Sequence, residues 1–386
     1  MKKKNIALMI GAVALAAGLG AGYVFVYQPA KENNRLIKAV ADLNGTGNYA
    51  DAQKLLLEKM EATDAPDIRL MLANSYLDEG SVRGKEAEAS KKAQAILFEV
   101  EKQYQGVYLY DLLGYSYEIV NDFDKALEYY GKALAIDGKS VNTIFSIGHV
   151  HWLRGENETA LTHYRKAEQS MDGKTDVSVR AKVYAGLGML TNNLSEAETY
   201  FLKAIDAYEG GAFRSEMYAN LSNLKLVVSD DEKAWEYAKL AVDADPSSEM
   251  AYLAFVKSAM AQEDRLRAEW ENVRANLFRA ILLAPVKAEP QYLQGKFEFI
   301  SGDYVQAIRS FNVALSLLDG DNSLNAAGRN TLRGDIYLDM ATGYYLLKDT
   351  ENAKKYVDEA IRTNPIKIAY ILQGEQFKDI YSLIKN

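Results

Sequence analysis

A set of residue types recurs at a fixed period in this chain, and this period constrains the fold more than any other feature of the sequence. The clearest copies hold a glycine, an alanine, an aromatic residue and a second alanine, in that order and at the same spacing. A repeat of about 34 residues is a helical hairpin that buries its apolar face only by stacking on its neighbours. The period therefore predicts an all-α solenoid. The two clearest copies are Gly114, Ala126, Tyr130, Ala133 and Gly148, Ala160, Tyr164, Ala167.

The residue types at these positions have a physical reason. A glycine in the first helix and an alanine in the second let the two backbones approach to roughly 8–9 Å where the helices cross. The aromatic residue then fills the space beside the crossing. Proline or glycine stops the second helix before the next hairpin begins. Residues of this kind stand at Gly138, Pro246, Pro285 and Pro365.

The pattern resembles the tetratricopeptide repeat (TPR) family, whose hairpins carry these small and aromatic residues in this order. The resemblance implies a right-handed superhelical solenoid of TPR-like helical hairpins, about nine in number, at residues 36–365. It also implies a C-terminal capping helix region at residues 366–386. Arg265 to Arg279 reads as one uninterrupted helix within the solenoid. The pattern continues downstream at Ala197, Phe201 and Ala204, at Ala234, Ala238 and Ala241, at Ala307, Phe311 and Ala314, and at Ala353 and Ala360.

The amino terminus predicts a membrane segment. Residues 1–5 are a basic tail, and residues 6–27 form an uncharged run of 22 residues, which at about 1.5 Å per residue spans roughly 33 Å, enough to cross a hydrocarbon core. Its glycines disfavour a water-exposed helix but are tolerated in membrane helices. We expect a transmembrane anchor or uncleaved signal, followed by a juxtamembrane linker at residues 28–35. Cleavage after the triplet at residues 14–16 is the alternative.

The leading lysines favour a cytoplasmic amino terminus, so we expect the basic tail inside the cell and the repeats on the extracytoplasmic side of the cell membrane. A bacterial periplasm is the expected compartment. Gly18 and Gly22 form a small-xxx-small step, which predicts a possible homodimer through the membrane helix.

Composition narrows the classes of function. The formal net charge is −8, and the chain shows no basic stripe of the kind that neutralises phosphates, so nucleic acid is not an expected partner. The chain has no cysteine and three histidines, and it carries neither a catalytic constellation nor a nucleotide-binding glycine loop. We therefore expect no enzyme activity, cofactor, metal or small-molecule substrate.

The TPR resemblance implies that the first helix of each hairpin lines a concave groove. Aromatic side chains with scattered amides and lysines suit an extended or helical peptide that carries apolar anchors. Trp152 and Phe299 have packing against the next hairpin as their alternative role. The family register places these residues in the groove: Tyr108, Tyr115, Phe145, His149, Trp152, Met189, Asn220, Asn223, Tyr292, Lys296, Phe299 and Tyr345.

These observations predict a membrane-anchored, extracytoplasmic scaffold or adaptor that binds a protein or peptide partner in an envelope, secretion or pilus-type assembly. A periplasmic chaperone that binds unfolded clients transiently is one alternative. A soluble cytoplasmic TPR scaffold is the other, and it requires that residues 6–27 form a core helix instead of an anchor.

Overall fold

The computed structural model describes residues 34–371, except 64, 322, 325, 366–367 and 369–370. These residues form helices and no strand, which confirms the all-α prediction for the part of the chain that is described. The helices are α1 (Asn34–Gly45), α2 (Tyr49–Ala62), α3 (Pro66–Arg83), α4 (Glu86–Glu101), α5 (Val107–Glu118), α6 (Phe123–Ile136), α7 (Val141–Leu153), α8 (Asn157–Ser170), α9 (Val177–Leu190), α10 (Leu194–Ala207), α11 (Gly211–Val227), α12 (Asp231–Ala244), α13 (Glu249–Met260), α14 (Glu263–Ala268), α15 (Trp270–Leu283), α16 (Ala288–Ile300), α17 (Tyr304–Leu318), α18 (Ala326–Leu346) and α19 (Thr350–Thr363).

The described helices fall into two units. The first unit runs to residue 191 and also takes residues 202–208, while the second takes residues 192–201 and everything described from residue 209 onward. In the first unit, α3 pairs with α4, α5 with α6 and α7 with α8. In the second unit, α11 pairs with α12, α16 with α17 and α18 with α19. Each unit is thus a run of helical hairpins.

The first helices of consecutive hairpins also contact each other within each unit. In the first unit α3 contacts α5, α5 contacts α7 and α7 contacts α9. In the second unit α11 contacts α13, α13 contacts α16 and α16 contacts α18. We call the side chains that these first helices present next to one another the A-helix face of each unit. This arrangement aligns residues that lie about one repeat apart in the sequence.

The small and aromatic positions of the repeat meet inside each hairpin, as the spacing predicts. A Cβ added to Gly148 would lie 2.8 Å from Cε1 of Tyr164, and one added to Gly295 would lie 2.5 Å from Cδ1 of Phe311. Ser222 stands at the glycine position of its hairpin, and its hydroxyl donates a 2.8 Å hydrogen bond to the carbonyl oxygen of Ala234. The crossing therefore accepts glycine or a small side chain that finds its own hydrogen bond.

The turn between the two helices of a hairpin follows a common design. A residue with positive φ comes first, and the N-cap residue of the second helix follows it directly. In four hairpins this N-cap residue is an aspartate, and its side chain accepts a hydrogen bond from a backbone N–H in the first turn of the helix. Such caps satisfy donors that have no partner within the helix. The four caps are Asp122, Asp230, Asp303 and Asp349, and the residues before them are Asn121, Ser229, Gly302 and Lys348.

The structure corrects one prediction within the solenoid. The helix expected from Arg265 to Arg279 is interrupted, because α14 ends at Ala268 and α15 begins at Trp270. Glu269 at the break has φ −102° and ψ 13°, which is not helical. The Trp270 ring packs against the ring of Phe297 on α16, with 4.2 Å between centroids.

The two ends of the chain are described only in part. Ile368 is fully buried against Val357 and Ala360 of α19, whereas most of the predicted capping region, residues 372–386, lies outside the described residues. None of the helices described in residues 34–371 has the length and apolar character needed to cross a membrane. The predicted anchor at residues 6–27, with Gly18 and Gly22, lies outside the described residues. The anchor, the capping region and the superhelical hand stay predictions.

Candidate partner-binding site

The A-helix face of the first unit is built from equivalent positions of successive hairpins. Each of these positions precedes the buried alanine of its own second helix by the same number of residues. The register places a carboxylate, a phenol and an imidazole side by side on neighbouring helices. The residues are Asp78, Tyr115 and His149, and the alanines are Ala89, Ala126 and Ala160.

Asp111 on α5 joins its hairpin to the next one. Its Oδ1 accepts a hydrogen bond of 2.7 Å from the Thr143 hydroxyl, and its Oδ2 accepts one of 3.0 Å from Nδ2 of Asn142. Burial raises the pKa of Asp111 to about 7, although the two hydrogen bonds act in the opposite direction. Both oxygens are thus satisfied by residues of α7.

Glu118 makes a second junction between α5 and α7. The Tyr130 hydroxyl donates a 2.6 Å hydrogen bond to its Oε2, and Nδ1 of His149 lies 2.7 Å from its Oε1. The His149 ring stacks with two aromatic rings, with centroids 6.3 Å from Phe145 and 5.6 Å from Trp152. Nε2 of His149 is buried and has no hydrogen-bond partner.

Asp78 on α3 is the least satisfied carboxylate of this face. Its side chain is 3 % exposed, and Asn74 donates a 3.0 Å hydrogen bond to its Oδ2. Oδ1 of Asp78 and Oδ1 of Asn74 are both buried without a hydrogen-bond partner. Burial raises the pKa of Asp78 to about 7, and the charge of Lys182 partly offsets this effect. The pair therefore presents two acceptors that lack donors.

Lys182 on α9 belongs to the same electrostatic cluster. Burial lowers the pKa of its ammonium group to about 8, while the charges of Asp78, Asp176 and Glu118 oppose that shift. Asp78 and Lys182 belong to hairpins that have two others between them, and their charges still act on each other.

Tyrosines surround the Asp78 carboxylate. Burial is the main cause that raises the pKa of Tyr49, Tyr108 and Tyr115, and the charge of Asp78 raises all three further. Tyr115 also forms a hydrogen bond with Ser81, which follows Asp78 by three residues, a little less than one helical turn, on α3. The hydroxyls of these tyrosines therefore lie within electrostatic range of one buried acid.

The predicted site residues of the first unit differ in exposure. Tyr115, Phe145 and Trp152 are buried, with 5 %, 4 % and 3 % exposed. Tyr108, His149 and Met189 are partly exposed. The first three are therefore packed inside the unit, and the last three are the more accessible.

The other six predicted residues lie in the second unit. Asn223, Tyr292, Lys296, Phe299 and Tyr345 are partly exposed. The Tyr292 hydroxyl donates a 2.8 Å hydrogen bond to Oδ2 of Asp339, and Nζ of Lys296 lies 3.6 Å from the same oxygen. The sixth residue, Asn220, is 4 % exposed and its buried Nδ2 has no hydrogen-bond partner.

Acids and lysines form ion pairs on the A-helix face of the second unit. Nζ of Lys287 lies 2.8 Å from Oε1 of Glu249, and Lys257 pairs with Glu289. Glu216 is 5 % exposed, and burial raises its pKa to about 8, with Lys287 opposing the shift. This face is therefore charged but largely paired. Within the described residues, no group of three His, Cys, Asp or Glu side chains is placed to hold a metal ion.

Sequence reasoning missed Asn74, Asp78 and Glu216. The signal for the first two was the buried alanine Ala89, because Asp78 stands at the same distance before it as Tyr115 does before Ala126, and Asn74 lies about one helical turn before Asp78. The glycine found at this position in the next two hairpins, Gly114 and Gly148, is absent there, since Leu77 stands at that position.

One hairpin of the first unit matches a known family. Residues 107–140 match the tetratricopeptide repeat. This segment holds α5, α6 and the residues Asp111 and Glu118. No curated protein matches the chain.

Solved structures are similar to the chain at low sequence identity. Pseudomonas aeruginosa PilF has a TM-score of 0.47 and 20 % identity, covering 60 % of this chain and 98 % of that one. Yeast Tom70 has a TM-score of 0.49 and 15 % identity, covering 95 % and 73 %. A tetratricopeptide repeat protein from Parabacteroides merdae has a TM-score of 0.44 and 15 % identity, covering 78 % and 98 %.

Proposed function

We propose that this protein is a TPR-type scaffold that binds a protein or peptide partner on the A-helix faces of its two units. The observation that carries the proposal is the set of buried polar atoms without partners on those faces, at Asn74 and Asp78 in the first unit and at Asn220 in the second. A buried polar group without a hydrogen bond costs roughly 1–3 kcal/mol. A bound chain supplies the missing donors and acceptors.

The partly exposed residues are the first contacts in this proposal. In the first unit these contacts are made by Tyr108, His149 and Met189. In the second unit they are made by Lys296, Phe299 and Tyr345. Aromatic and long side chains of this kind hold peptide segments by apolar contact and by hydrogen bonds at their polar ends. The charged groups beside them select among partners more than they add affinity.

The proposal includes membrane attachment. Residues 6–27 anchor the chain, and the repeats lie on the extracytoplasmic side, in a periplasm, where they hold a component of an envelope, secretion or pilus-type assembly. The support is the length and lack of charge of that run together with the lysines before it. Gly18 and Gly22 provide a helix-packing step for dimerisation.

Photo-crosslinking in native membranes tests the binding faces. A photoreactive amino acid replaces Met189 in one variant and Phe299 in another, and Phe278 in a control, since Phe278 is 60 % exposed on the second helix of its hairpin, away from the A-helix faces. One dominant adduct at Met189 or Phe299, absent at Phe278, is the expected result. Many unrelated adducts favour the chaperone, and equal adducts at all three positions contradict the proposal.

Membrane extraction tests the anchor separately. The full-length chain is expected in the membrane pellet after alkaline carbonate treatment and in the supernatant after detergent. A variant without residues 6–27 is expected in the soluble fraction. Release of the full-length chain by carbonate alone contradicts the predicted membrane anchor and favours the soluble cytoplasmic scaffold.

A further inference from the structure

We propose that the A-helix face of the first unit recognises a basic side chain, lysine or arginine, of the bound partner, with Asp78 and Asn74 as its acceptors. This inference rests on the proposed function, because it assumes that a peptide segment reaches this face. It assigns chemistry to one place on that face, which neither the repeat pattern nor the family register indicates.

The geometry begins with two acceptors on one face of α3. Asn74 and Asp78 are four residues apart, so their side chains lie one above the other. The hydrogen bond from Nδ2 of Asn74 to Oδ2 of Asp78 orients the two groups and leaves Oδ1 of each without a partner. Both residues are at least nine-tenths buried. Above the pKa of Asp78, where its carboxylate is ionised and has no proton to share with Asn74, a group that donates N–H bonds satisfies both oxygens.

The other acids of this face need no donor. Asp111 accepts from Thr143 and Asn142, and Glu118 accepts from Tyr130 while it pairs with His149. Demand for donors is therefore concentrated at Asn74 and Asp78.

Charge and aromatic surroundings favour a cation over a neutral donor. Three carboxylates, Asp78, Asp111 and Glu118, share this face with one lysine, Lys182. Lys182 acts on Asp78 by its charge, yet Oδ1 of Asp78 still lacks a hydrogen bond. The neighbouring Tyr108 and Tyr115 offer the aromatic side chains that accompany bound ammonium and guanidinium groups. An incoming basic side chain supplies the hydrogen bond to Oδ1 that Lys182 does not make.

Peptides that bind this face are selected from a library of known composition. A phage-displayed library of linear dodecapeptides is panned against the full-length chain in detergent micelles at about pH 8, above the pKa of Asp78. The expected result is enrichment of peptides with lysine or arginine at one fixed position. Affinity of a labelled enriched peptide is then measured by fluorescence anisotropy. Versions with arginine, lysine or glutamine at that position show which cation the site prefers.

The variants follow from the geometry. Replacing the basic residue of the peptide by glutamine is expected to weaken binding about tenfold, as the loss of a charge-assisted hydrogen bond does. Asp78→Asn is expected to lower the affinity for the basic peptide by a similar factor and to leave the affinity for the glutamine version unchanged. Lys182→Met is expected to raise the affinity for the basic peptide several-fold, because it removes the competing cation. Asp51→Asn, an exposed position on α2, is the matched control and leaves affinity unchanged.

Three outcomes overturn the inference. Enriched peptides with no more lysine or arginine than the input library show that the site does not select a cation. Affinity within twofold after both the glutamine exchange and Asp78→Asn shows that internal water satisfies the two oxygens. Loss of binding in Lys182→Met shows that Lys182 itself holds an anionic ligand.

The proposed function fails in a different way. If no peptide is enriched and crosslinking at Met189 and Phe299 yields no adduct, the A-helix faces bind no chain. If peptides bind and crosslink there without a basic residue, only the inference about Asp78 fails. The glutamine exchange is made in the peptide against the natural chain, so this result stands even where Asp78→Asn does not fold.

Discussion

The ring of Tyr130 occupies the space that a side chain on Gly114 would need. A Cβ on Gly114 would lie 2.5 Å from Cε1 of Tyr130, closer than such atoms approach. The ring cannot turn away cheaply, since it is fully buried and its hydroxyl is bonded to Glu118. Gly114→Ala is therefore expected to destabilise the first unit by about 1–3 kcal/mol, the usual cost of overpacking.

The same hairpin supplies the control for Gly114. Gly131 lies in α6 with no atom within 4 Å of an added Cβ. Gly131→Ala is expected to stabilise the unit by about 0.5–1 kcal/mol, because alanine loses less backbone entropy on folding. Urea unfolding followed by Trp152 fluorescence, in a background with the other two tryptophans replaced by phenylalanine, measures both variants. Equal stabilities of the two alanine variants would show that the Tyr130 ring yields.

Glu118 and Tyr130 are expected to be energetically coupled. Tyr130→Phe removes a hydrogen bond to a carboxylate, which is worth about 1.5–3 kcal/mol. Glu118→Ala leaves both the Tyr130 hydroxyl and the His149 ring without their partner. A double-mutant cycle by urea unfolding is expected to give a coupling energy of about 1–3 kcal/mol. A coupling energy near zero contradicts the hydrogen bond seen in the structure.

The register of the hairpins could be predicted because it depends on local spacing. Gly114, Ala126 and Tyr130 lie within one hairpin, and sterics at the helix crossing determine their types. The same rule gives no signal upstream, where Leu77 stands at the glycine position, so the spacing does not predict Asn74 and Asp78 as site residues.

Interactions between distant hairpins could not be predicted in this way. Asp78 and Lys182 act on each other's charge although two hairpins lie between theirs, and no local sequence pattern indicates such an interaction. The helix break at Glu269 could not be predicted either, because no glycine or proline stands near it in the sequence. The burial of Trp152 likewise depends on how α7 packs with its neighbours.

Stability of the first unit is expected to fall as pH rises from about 4 to about 7. The pKa of Asp78 is about 7 in the folded protein and about 3.9 when unfolded. Between these values the folded state holds a proton that the unfolded state has lost. Asp78 therefore adds stability below pH 4 that disappears as pH passes 7, with a slope of about 1.4 kcal/mol per pH unit.

Asp78→Asn is expected to remove that part of the pH slope. Asp111, whose pKa is also raised to about 7, keeps its own share in the variant. Urea unfolding at several pH values, followed by Trp152 fluorescence, measures the difference between the variant and the natural chain. Asp51→Asn serves as the control and is expected to keep the full slope. Parallel pH profiles for Asp78→Asn and the natural chain would mean that Asp78 is ionised throughout this range.

In the second unit, the hydrogen bond from Tyr292 to Asp339 is expected to contribute measurably to stability. Tyr292→Phe removes it and leaves Asp339 with Lys296, whose ammonium group is 3.6 Å away and partly in solvent. The expected loss is about 1 kcal/mol, since the carboxylate is partly hydrated. Tyr337→Phe, on α18 of the same unit, is the matched control and is expected to change stability by less than about 0.5 kcal/mol. Urea unfolding followed by Trp235 and Trp270 in a Trp152→Phe background measures both, and equal losses would show that the ring of Tyr292, not its hydroxyl, matters.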